Sequence, residues 1–203
     1  KEPRLSPKKA GLDFDLAIYM LPLADYVSSE GGLNLMSSTY RKYNDSAIPT
    51  KAKAGGSYIN SFLATSDAQR NGYDDALMFD DAGNVVEVSV ANIILVYRGQ
   101  IIIPDTGNAA LEGITVRSAL ELLEYNGYKI NRGKIDRSMV FTADELLVTG
   151  TAMKITYAES LDRRPIGQLD FNAKPEAGKF HKLLKSEYEK VINGEHELSS
   201  EWL

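Results

Sequence analysis

The 203-residue sequence predicts an α+β fold in which mostly antiparallel strands carry peripheral helices. Apolar runs rich in Val and Ile flank short turn sequences between residues 76 and 103, as expected for β-hairpins. Apolar residues then recur at helical spacing over residues 114–125 and about residues 176–192. With 43% hydrophobic and 25% charged residues, the chain has the composition of a globular protein that can bury a core.

The N-terminal part predicts a linker, two strands and a helix. Residues 1–11 are rich in Pro and Lys, and we expect a linker or the exit from a segment upstream. Residues 16–23 are nearly continuously apolar, which predicts a strand buried on both faces, and a second strand is predicted near residues 35–40. A helix is predicted next and should end at Asn71-Gly72. Its apolar positions at helical spacing are Ile59, Phe62, Leu63 and Ala64.

The rest of the chain predicts two hairpins, further short strands and three helices. The hairpins form around residues 80–84 and around Arg98-Gly99-Gln100. The predicted strands are 76–79, 85–90, 93–97, 101–103, 128–130, 146–149 and 155–158. The predicted helical segments are 114–125, 138–141 and about 176–192.

Charge and composition disfavour several classes of partner. A net charge of −5 and a pI near 5.2 argue against nucleic-acid binding. The chain has no cysteine, which excludes disulfides and fits a reducing compartment such as the cytoplasm. Only His181 and His196 are present and they lack ligand-like spacing, so we expect no metal site. Apolar runs such as 93–97 are too short to cross a bilayer, and residues 1–10 lack a signal-peptide core.

One lysine has an unusual setting in residues 48–58, which read I-P-T-K-A-K-A-G-G-S-Y. Lys53 is bracketed by Ala52, Ala54 and Gly55-Gly56, small residues that let backbone or a flat ligand come close. In a partly desolvated slot, a lysine amine is a usable nucleophile for Schiff-base chemistry. The alternative, which the pattern alone favours, is a lysine at the entry to a helix.

Three further spots combine small and polar residues. Glu87 lies in the apolar strand V-V-E-V-S-V, where a buried carboxylate needs a partner, although alternation also allows its face to be solvent. Residues 113–115 open a helix and residues 150–152 end a strand, and both could direct backbone N–H groups and a hydroxyl at an anion. Plain turns or caps are the alternative for both.

Taken together and in order, these residues resemble the large domain of the branched-chain aminotransferases, which are fold-type IV pyridoxal-phosphate enzymes. The resemblance covers residues 12–194 and implies a barrel-like large domain over residues 12–203. The segments that carry it are P-T-K-A-K-A-G-G-S-Y at 49–58, G-Y-D-D-A-L-M-F-D at 72–80, V-V-E-V-S-V-A-N at 85–92, L-E-G-I-T at 111–115, T-A-D-E-L-L-V-T-G-T-A at 142–152 and R-P-I-G at 164–167. The element around the lysine is the most specific.

The resemblance implies a role for each matched residue around pyridoxal 5′-phosphate. Lys53 would form the Schiff base with the cofactor and then carry the proton between substrate and cofactor. Tyr58 would hydrogen-bond the phenolic oxygen of the cofactor, and Glu87 would hold a proton on its ring nitrogen. Leu111 would pack on the ring. Arg41 matches an arginine of the family that lies next to this site.

The same resemblance implies how the phosphate and the substrate are bound. Ile114 and Thr115, together with Thr151, would bind the cofactor phosphate. The backbone of Thr151 and Ala152 would receive the carboxylate of the substrate, an aliphatic amino acid or a 2-oxo acid. Tyr26 aligns with a tyrosine of the substrate pocket, and Leu23 stands where the family commonly has a tryptophan.

The surrounding residues depart from the family pattern. The family writes E-G-x-G-E-N where residues 87–92 read E-V-S-V-A-N, and the aromatic residue expected after the asparagine is Ile94. The arginine expected after G-I-T is Val116, with Arg117 one place later. Where the family has G-T-A-A-E, this chain has Met153 and Lys154 in the last two positions. Because the residues that face the cofactor match while their neighbours differ, substrate preference is the property on which the sequence says least.

The resemblance leaves two classes of function open. The first is an aminotransferase that moves an amino group between an aliphatic L-amino acid and 2-oxoglutarate, as a cytoplasmic homodimer. The second is a protein of the same fold with a binding or regulatory role, and a lyase of this fold is a third possibility. Nothing in the 203 residues corresponds to the smaller domain that precedes the large one in these enzymes.

Overall fold

A computed structural model describes residues 15–22, 31–105, 109–168 and 176–202. Residues 1–11, Leu23 and Tyr26, for which the sequence made predictions, lie outside these ranges. The strands are β1 (Leu33–Arg41), β2 (Asp75–Phe79), β3 (Val85–Val88), β4 (Asn92–Tyr97), β5 (Gln100–Pro104), β6 (Ile130–Gly133), β7 (Glu145–Gly150), β8 (Lys154–Leu161) and β9 (Arg164–Pro165). The helices are α1 (Tyr58–Arg70), α2 (Ile114–Tyr125), α3 (Arg137–Phe141), α4 (Lys179–Ile192) and α5 (Ser199–Trp202).

The described strands form one mixed sheet in the order β3-β2-β1-β8-β7-β4-β5-β6, and β9 pairs with β8. Antiparallel pairs join β2 to β3, β4 to β5, β4 to β7, β7 to β8 and β8 to β9. Parallel pairs join β1 to β2, β1 to β8 and β5 to β6. The predicted α+β class is therefore confirmed, with antiparallel pairs in the majority.

Local turn chemistry explains why both predicted hairpins form. Between β4 and β5, Arg98 and Gly99 both have positive φ, at 53° and 74°, as the tight turns that match strand twist require. Between β2 and β3, the carboxylate of Asp80 accepts hydrogen bonds from the backbone and the side chain of Asn84, at 2.8 and 2.7 Å. Gly83 in the same turn has a φ of 88°.

Several of the sequence predictions differ from the structure. Of the four apolar positions predicted for α1, only Ala64 is buried. Residues 16–22, the described part of the predicted first strand, are not a strand, and their apolar side chains are exposed, with Met20 at 94%. An isolated apolar run cannot form a strand without a neighbour to pair its N–H and C=O groups, and no described strand pairs with it. Strand β3 ends at Val88 rather than at residue 90, because the Val88 N–H donates to Ala91 O and turns the chain. The strand predicted at 128–130 is β6 at Ile130–Gly133, while β9 and α5 were missed.

The sheet is buried on both faces over much of its length. Helices α2 and α4 cover one face, where Leu122, Leu123 and Leu184 pack on the β4 and β7 side chains Ile94 and Leu147. Helix α1 covers β2 through a small cluster of Ala64, Ala68, Ala76 and Met78. A third cluster fills the other face and includes Leu35, Leu77, Leu95, Leu146 and Leu161. Among the described helices, none is long and apolar enough to span a membrane.

Candidate active site

A cavity of about 320 Å³ gathers residues from four separated parts of the chain, and we call it the Lys53 cavity. Its walls come from residues 42–61, 87–92, 109–115 and 149–153. Eight residues predicted from the sequence to form a site line it: Lys53, Tyr58, Glu87, Leu111, Ile114, Thr115, Thr151 and Ala152. The fold therefore brings these residues together around a single space large enough for a small-molecule ligand.

Lys53 and Tyr58 stand side by side at one wall of the cavity. Lys53 precedes the short 3-10 helix Gly55–Ser57, and Tyr58 is the first residue of α1. The Lys53 Nζ donates a hydrogen bond of 2.7 Å to the Tyr58 hydroxyl. A Cβ at Gly55 or Gly56 would meet no neighbour within 4 Å, and Lys53 is exposed. The prediction that small neighbours hold Lys53 in a partly desolvated slot is therefore wrong for the described residues.

Lys51 points away from the Lys53 cavity. Its Nζ donates a 2.7 Å hydrogen bond to Ala110 O, and Lys51 lines a second, smaller cavity of about 130 Å³. Side chains two positions apart need not share a face where the chain turns, and residues 51–54 lead directly into a 3-10 helix. The cavity that Glu87 enters therefore contains the amine of Lys53 and not that of Lys51.

Glu87 is buried at another wall of the cavity and does not face solvent. All four residues of β3 are buried, and Glu87 is 6% exposed. One carboxylate oxygen, Oε1, lies 2.5 Å from Lys42 Nζ, and Oε2 accepts a 3.1 Å hydrogen bond from Asn92 Nδ2. Burial raises the pKa of Glu87, and the positive charges of Lys42, Lys51 and Lys53 oppose that rise. The solvent-facing alternative for Glu87 is wrong, because its carboxylate is enclosed by Lys42, which follows β1, and by Asn92 of β4.

The cation that reaches the cavity from the end of β1 is Lys42, not the predicted Arg41. The Arg41 guanidinium lies 5.6 Å from the centre of the Phe79 ring and is absent from the cavity wall. Neighbouring residues of an extended chain point to opposite sides, so Lys42 turns inward where Arg41 turns outward. Lys42 is 7% exposed, and its backbone N–H donates to Phe79 O at 2.8 Å. The sequence signal for Lys42 was the buried carboxylate itself, which needs a nearby cation.

Asn92 joins the carboxylate wall to the start of α2. Besides Glu87, its Nδ2 donates to Leu111 O at 2.9 Å, and its Oδ1 accepts from Gly113 N–H at 2.9 Å. A Cβ at Gly113 would lie 2.7 Å from that Oδ1, so only glycine allows this approach. The motif quoted from the sequence contained Asn92, but its part in holding residues 111–113 was missed.

The remaining wall presents donors without a protein acceptor. Helix α2 begins after Gly113 with no side-chain cap, so the N–H groups of its first turn are available at the cavity beside Thr115. Thr151 and Ala152 lie in the exposed turn between β7 and β8. The buried Thr149 hydroxyl, also on the cavity wall, has no hydrogen-bond partner among the described residues. An uncapped helix N-terminus next to threonine hydroxyls is a typical arrangement for binding an anion.

Comparison with known proteins identifies the family. The family model described as Amino-transferase class IV matches residues 4–161. The chain belongs to the class IV aminotransferases. The resemblance drawn from the sequence motifs is thus confirmed at the level of the family. In the described parts of this chain, no group of three His, Cys, Asp or Glu residues could hold a metal ion.

Individual relatives and solved structures agree with the family. A probable branched-chain-amino-acid aminotransferase from Aquifex aeolicus is 32% identical over 204 residues, covering all of this chain and 64% of the relative. The branched-chain-amino-acid aminotransferase of Pseudomonas aeruginosa is 32% identical over 96% of this chain and 62% of its own length. The solved Escherichia coli branched-chain amino acid aminotransferase superposes with a TM-score of 0.81 at 29% identity, covering 87% of this chain and 57% of that one. This chain thus spans roughly half to two thirds of the length of these class IV aminotransferases.

Proposed function

We propose that this chain is the cofactor-binding domain of a pyridoxal-phosphate-dependent aminotransferase for aliphatic, branched-chain L-amino acids, with 2-oxoglutarate as the amino acceptor. One observation carries the proposal. The Lys53 amine, the Tyr58 hydroxyl and the buried Glu87 carboxylate line a single cavity of about 320 Å³, and the uncapped start of α2 forms another wall. These are the groups that a flat, phosphorylated pyridine aldehyde requires.

The residues of the cavity fit this cofactor in charge and in shape. The carboxylate of Glu87 is suited to a ring N–H, and the first-turn N–H groups of α2 with the hydroxyls of Thr115 and Thr151 are suited to a phosphate. The unpartnered hydroxyl of Thr149 is a further free polar group on the wall. The cavity volume lies within the range of small-ligand sites.

Solved relatives support the same cofactor. The branched-chain amino acid aminotransferase from Thermobaculum terrenum, which superposes with a TM-score of 0.76 at 30% identity, was solved in its PLP form. Another solved branched-chain amino acid aminotransferase, with a TM-score of 0.78 and 33% identity, contains pyridoxamine 5′-phosphate. Both forms of the cofactor therefore occur on folds that match this chain closely.

When bound, pyridoxal 5′-phosphate supplies an aldehyde for amine attack and an electron-withdrawing ring that stabilises negative charge at the α-carbon of the amino acid. The Lys53 Nζ would be the amine that attacks this aldehyde, and as a free amine it would accept the proton from the α-carbon of the amino acid. The Tyr58 hydroxyl, 2.7 Å from Nζ, orients the amine. Glu87 would accept a hydrogen bond from the ring N–H, and Leu111 would pack against the ring.

Substrate recognition is proposed from the relatives and from the turn at residues 151–152. The backbone of Thr151 and Ala152 would bind the substrate carboxylate, and Leu23 and Tyr26 stay predicted pocket residues. The branched-chain aminotransferase from Thermoproteus uzoniensis, with a TM-score of 0.79 and 30% identity, was solved with norvaline. A further solved branched-chain amino acid aminotransferase contains 4-methylvaleric acid, a branched aliphatic acid. We therefore expect valine, leucine and isoleucine to be the amino donors.

The homodimeric state and the cytoplasmic location stay predictions. Light scattering coupled to size-exclusion chromatography gives the mass of the native particle in solution, for comparison with the chain mass of 22.4 kDa. A mass near twice this value supports the dimer, and a monomer that still transaminates contradicts it.

The second candidate is a protein of this fold with a binding or regulatory role. The observation that favours it is that the Lys42 ammonium already pairs with the Glu87 carboxylate, which is the group that a cofactor ring nitrogen would bind. A lyase of the same fold is a third candidate.

Visible absorbance separates the three candidates. The purified protein mixed with pyridoxal 5′-phosphate should develop the band of a lysine-bound cofactor, and L-leucine should abolish it. Addition of 2-oxoglutarate should then restore the band and yield glutamate. A band that no amino acid changes would favour the binding protein. Release of a 2-oxo acid and ammonia from an amino acid with a leaving group on its β-carbon, without formation of glutamate, would favour the lyase.

A further inference from the structure

Lys42 occupies a position in the Lys53 cavity that the proposed reaction does not use. Its ammonium lies 2.5 Å from Glu87 Oε1, and both side chains are almost fully buried. The second oxygen of the carboxylate accepts from Asn92 Nδ2 at 3.1 Å. Each oxygen of the Glu87 carboxylate therefore has a partner. Burying Lys42 without this pairing would be strongly disfavoured.

The pair leaves room for a third donor on Glu87. A carboxylate has about four lone-pair sites, and Lys42 and Asn92 use two of them. A ring N–H that enters from the cavity can therefore bind Glu87 while Lys42 stays in place. Three donors then surround one carboxylate, and two of them carry positive charge.

We propose that Lys42 is a positioning residue that holds Glu87 ionised and oriented toward the ring nitrogen of the bound cofactor, and that its charge limits how readily that nitrogen is protonated. This inference rests on the proposed function. Opposite charge on Lys42 favours the carboxylate form of Glu87, whereas like charge disfavours a second cation on the ring. A protonated ring nitrogen beside Glu87 would itself keep the carboxylate ionised, so repulsion is the effect on the ring that is lost when Lys42 is replaced. Lys42 thereby limits the strength of the electron sink.

The other charged groups around Glu87 are already engaged elsewhere. Lys51 donates to Ala110 O and Lys53 donates to the Tyr58 hydroxyl, and both lower the pKa of Glu87 less than Lys42 does. Burial is the largest effect on Glu87 and raises its pKa. Without Lys42 the carboxyl would hold its proton to a higher pH.

The first experiment measures thermal unfolding against pH in cofactor-free protein, for the wild type, Lys42→Met and Lys42→Gln. A carboxyl with a raised pKa contributes stability at low pH and loses it as pH rises through its folded-state value. Removing Lys42 raises that value further. The loss of melting temperature between about pH 5 and about pH 8 should therefore be larger in both variants than in the wild type. Lys42→Gln keeps a donor for Glu87 and serves if Lys42→Met does not fold.

The second experiment follows the ring nitrogen directly. Protein loaded with pyridoxal 5′-phosphate labelled with ¹⁵N in the ring is titrated with pH, and the ¹⁵N chemical shift reports protonation. In Lys42→Met and Lys42→Gln the ring nitrogen should keep its proton to a pH higher by about one unit or more, the usual effect of one nearby charge. Lys42→Arg should titrate like the wild type. Lys51→Met removes a charge that faces the smaller cavity and should give a smaller shift.

The outcomes distinguish this inference from the proposed function. Equal ring titrations in the wild type and in Lys42→Met, in proteins that bind the cofactor, overturn the role of Lys42 and leave the cofactor site standing. Failure of wild-type protein to bind pyridoxal 5′-phosphate overturns the proposed function, and the inference with it. A ring shift together with a steeper pH dependence of unfolding in the neutral variants supports both.

Discussion

Substituting Glu87 by Gln should separate the stabilising role of this carboxylate from its role in the reaction. Glu87 and Lys42 are 6% and 7% exposed and form a pair at 2.5 Å. Removing one partner of such a pair typically costs about 3–5 kcal/mol, because the other charge stays buried without compensation. The amide oxygen of the glutamine can still accept a hydrogen bond from Lys42, so we expect the lower end, about 3 kcal/mol.

The expected loss is large enough to measure by two assays. For a chain of this length, about 3 kcal/mol lowers the melting temperature by about 6–12 °C. The amide cannot hold a ring proton as the carboxylate does, so amino transfer from leucine to 2-oxoglutarate should fall by about 10²-fold or more. The variant should still fold and bind the cofactor.

A second variant shows whether the stability loss comes from the broken pair. Lys42→Met combined with Glu87→Gln removes both charges and should regain most of the lost stability, because neither variant side chain leaves a buried ion alone. Activity should not return. Additive stability losses in the double variant, or a Glu87→Gln protein as active as the wild type, would refute the reasoning.

Two other predictions concern regions outside this pair. Burial lowers the pKa of His181 below 6.5, and this effect outweighs the hydrogen bond to the carbonyl of Ile155. The free energy of unfolding should therefore fall as the pH drops through about 6.5. In His181→Asn this loss of stability should be absent when unfolding is followed between about pH 7 and about pH 5. The isobutyl group of Leu23, in place of the indole that the family commonly has, enlarges the predicted substrate pocket. Leu23→Trp should therefore change the discrimination between valine and a bulkier amino acid, measured as a ratio of rates, by the equivalent of about 1–3 kcal/mol. An unchanged ratio would show that Leu23 does not line the pocket.

Features that depend on neighbouring residues were predictable from the sequence. The turn at Arg98-Gly99 needs two positive φ values, and a pair ending in glycine between apolar runs signals it directly. The helices α2 and α4 followed from apolar spacing over three to four turns, and their bounds differ from prediction only at the start of α4. The gathering of Lys53, Tyr58 and Thr151 in one cavity was predicted through the family resemblance, not from spacing.

Features that depend on distant residues were not predictable. Lys42 and Glu87 are far apart in the chain, and only the packing of β1, β2 and β3 brings them to 2.5 Å. Alternation in β3 could not show that all four of its residues are buried, because Val86, for example, is covered by Ala109 and Ala110. The apolarity of residues 16–22 predicted burial but carries no information about which segment would cover it.

The measurement that tests the central claim most directly is identification of the lysine that carries the cofactor. The protein is mixed with pyridoxal 5′-phosphate, reduced with borohydride so that the cofactor–lysine bond becomes permanent, digested, and mapped by mass spectrometry. We expect the label on Lys53, whose amine enters the cavity with Glu87, and we expect the label to be lost in Lys53→Ala but not in Lys51→Ala. A label on Lys51, or equal labelling of the two lysines, would contradict it.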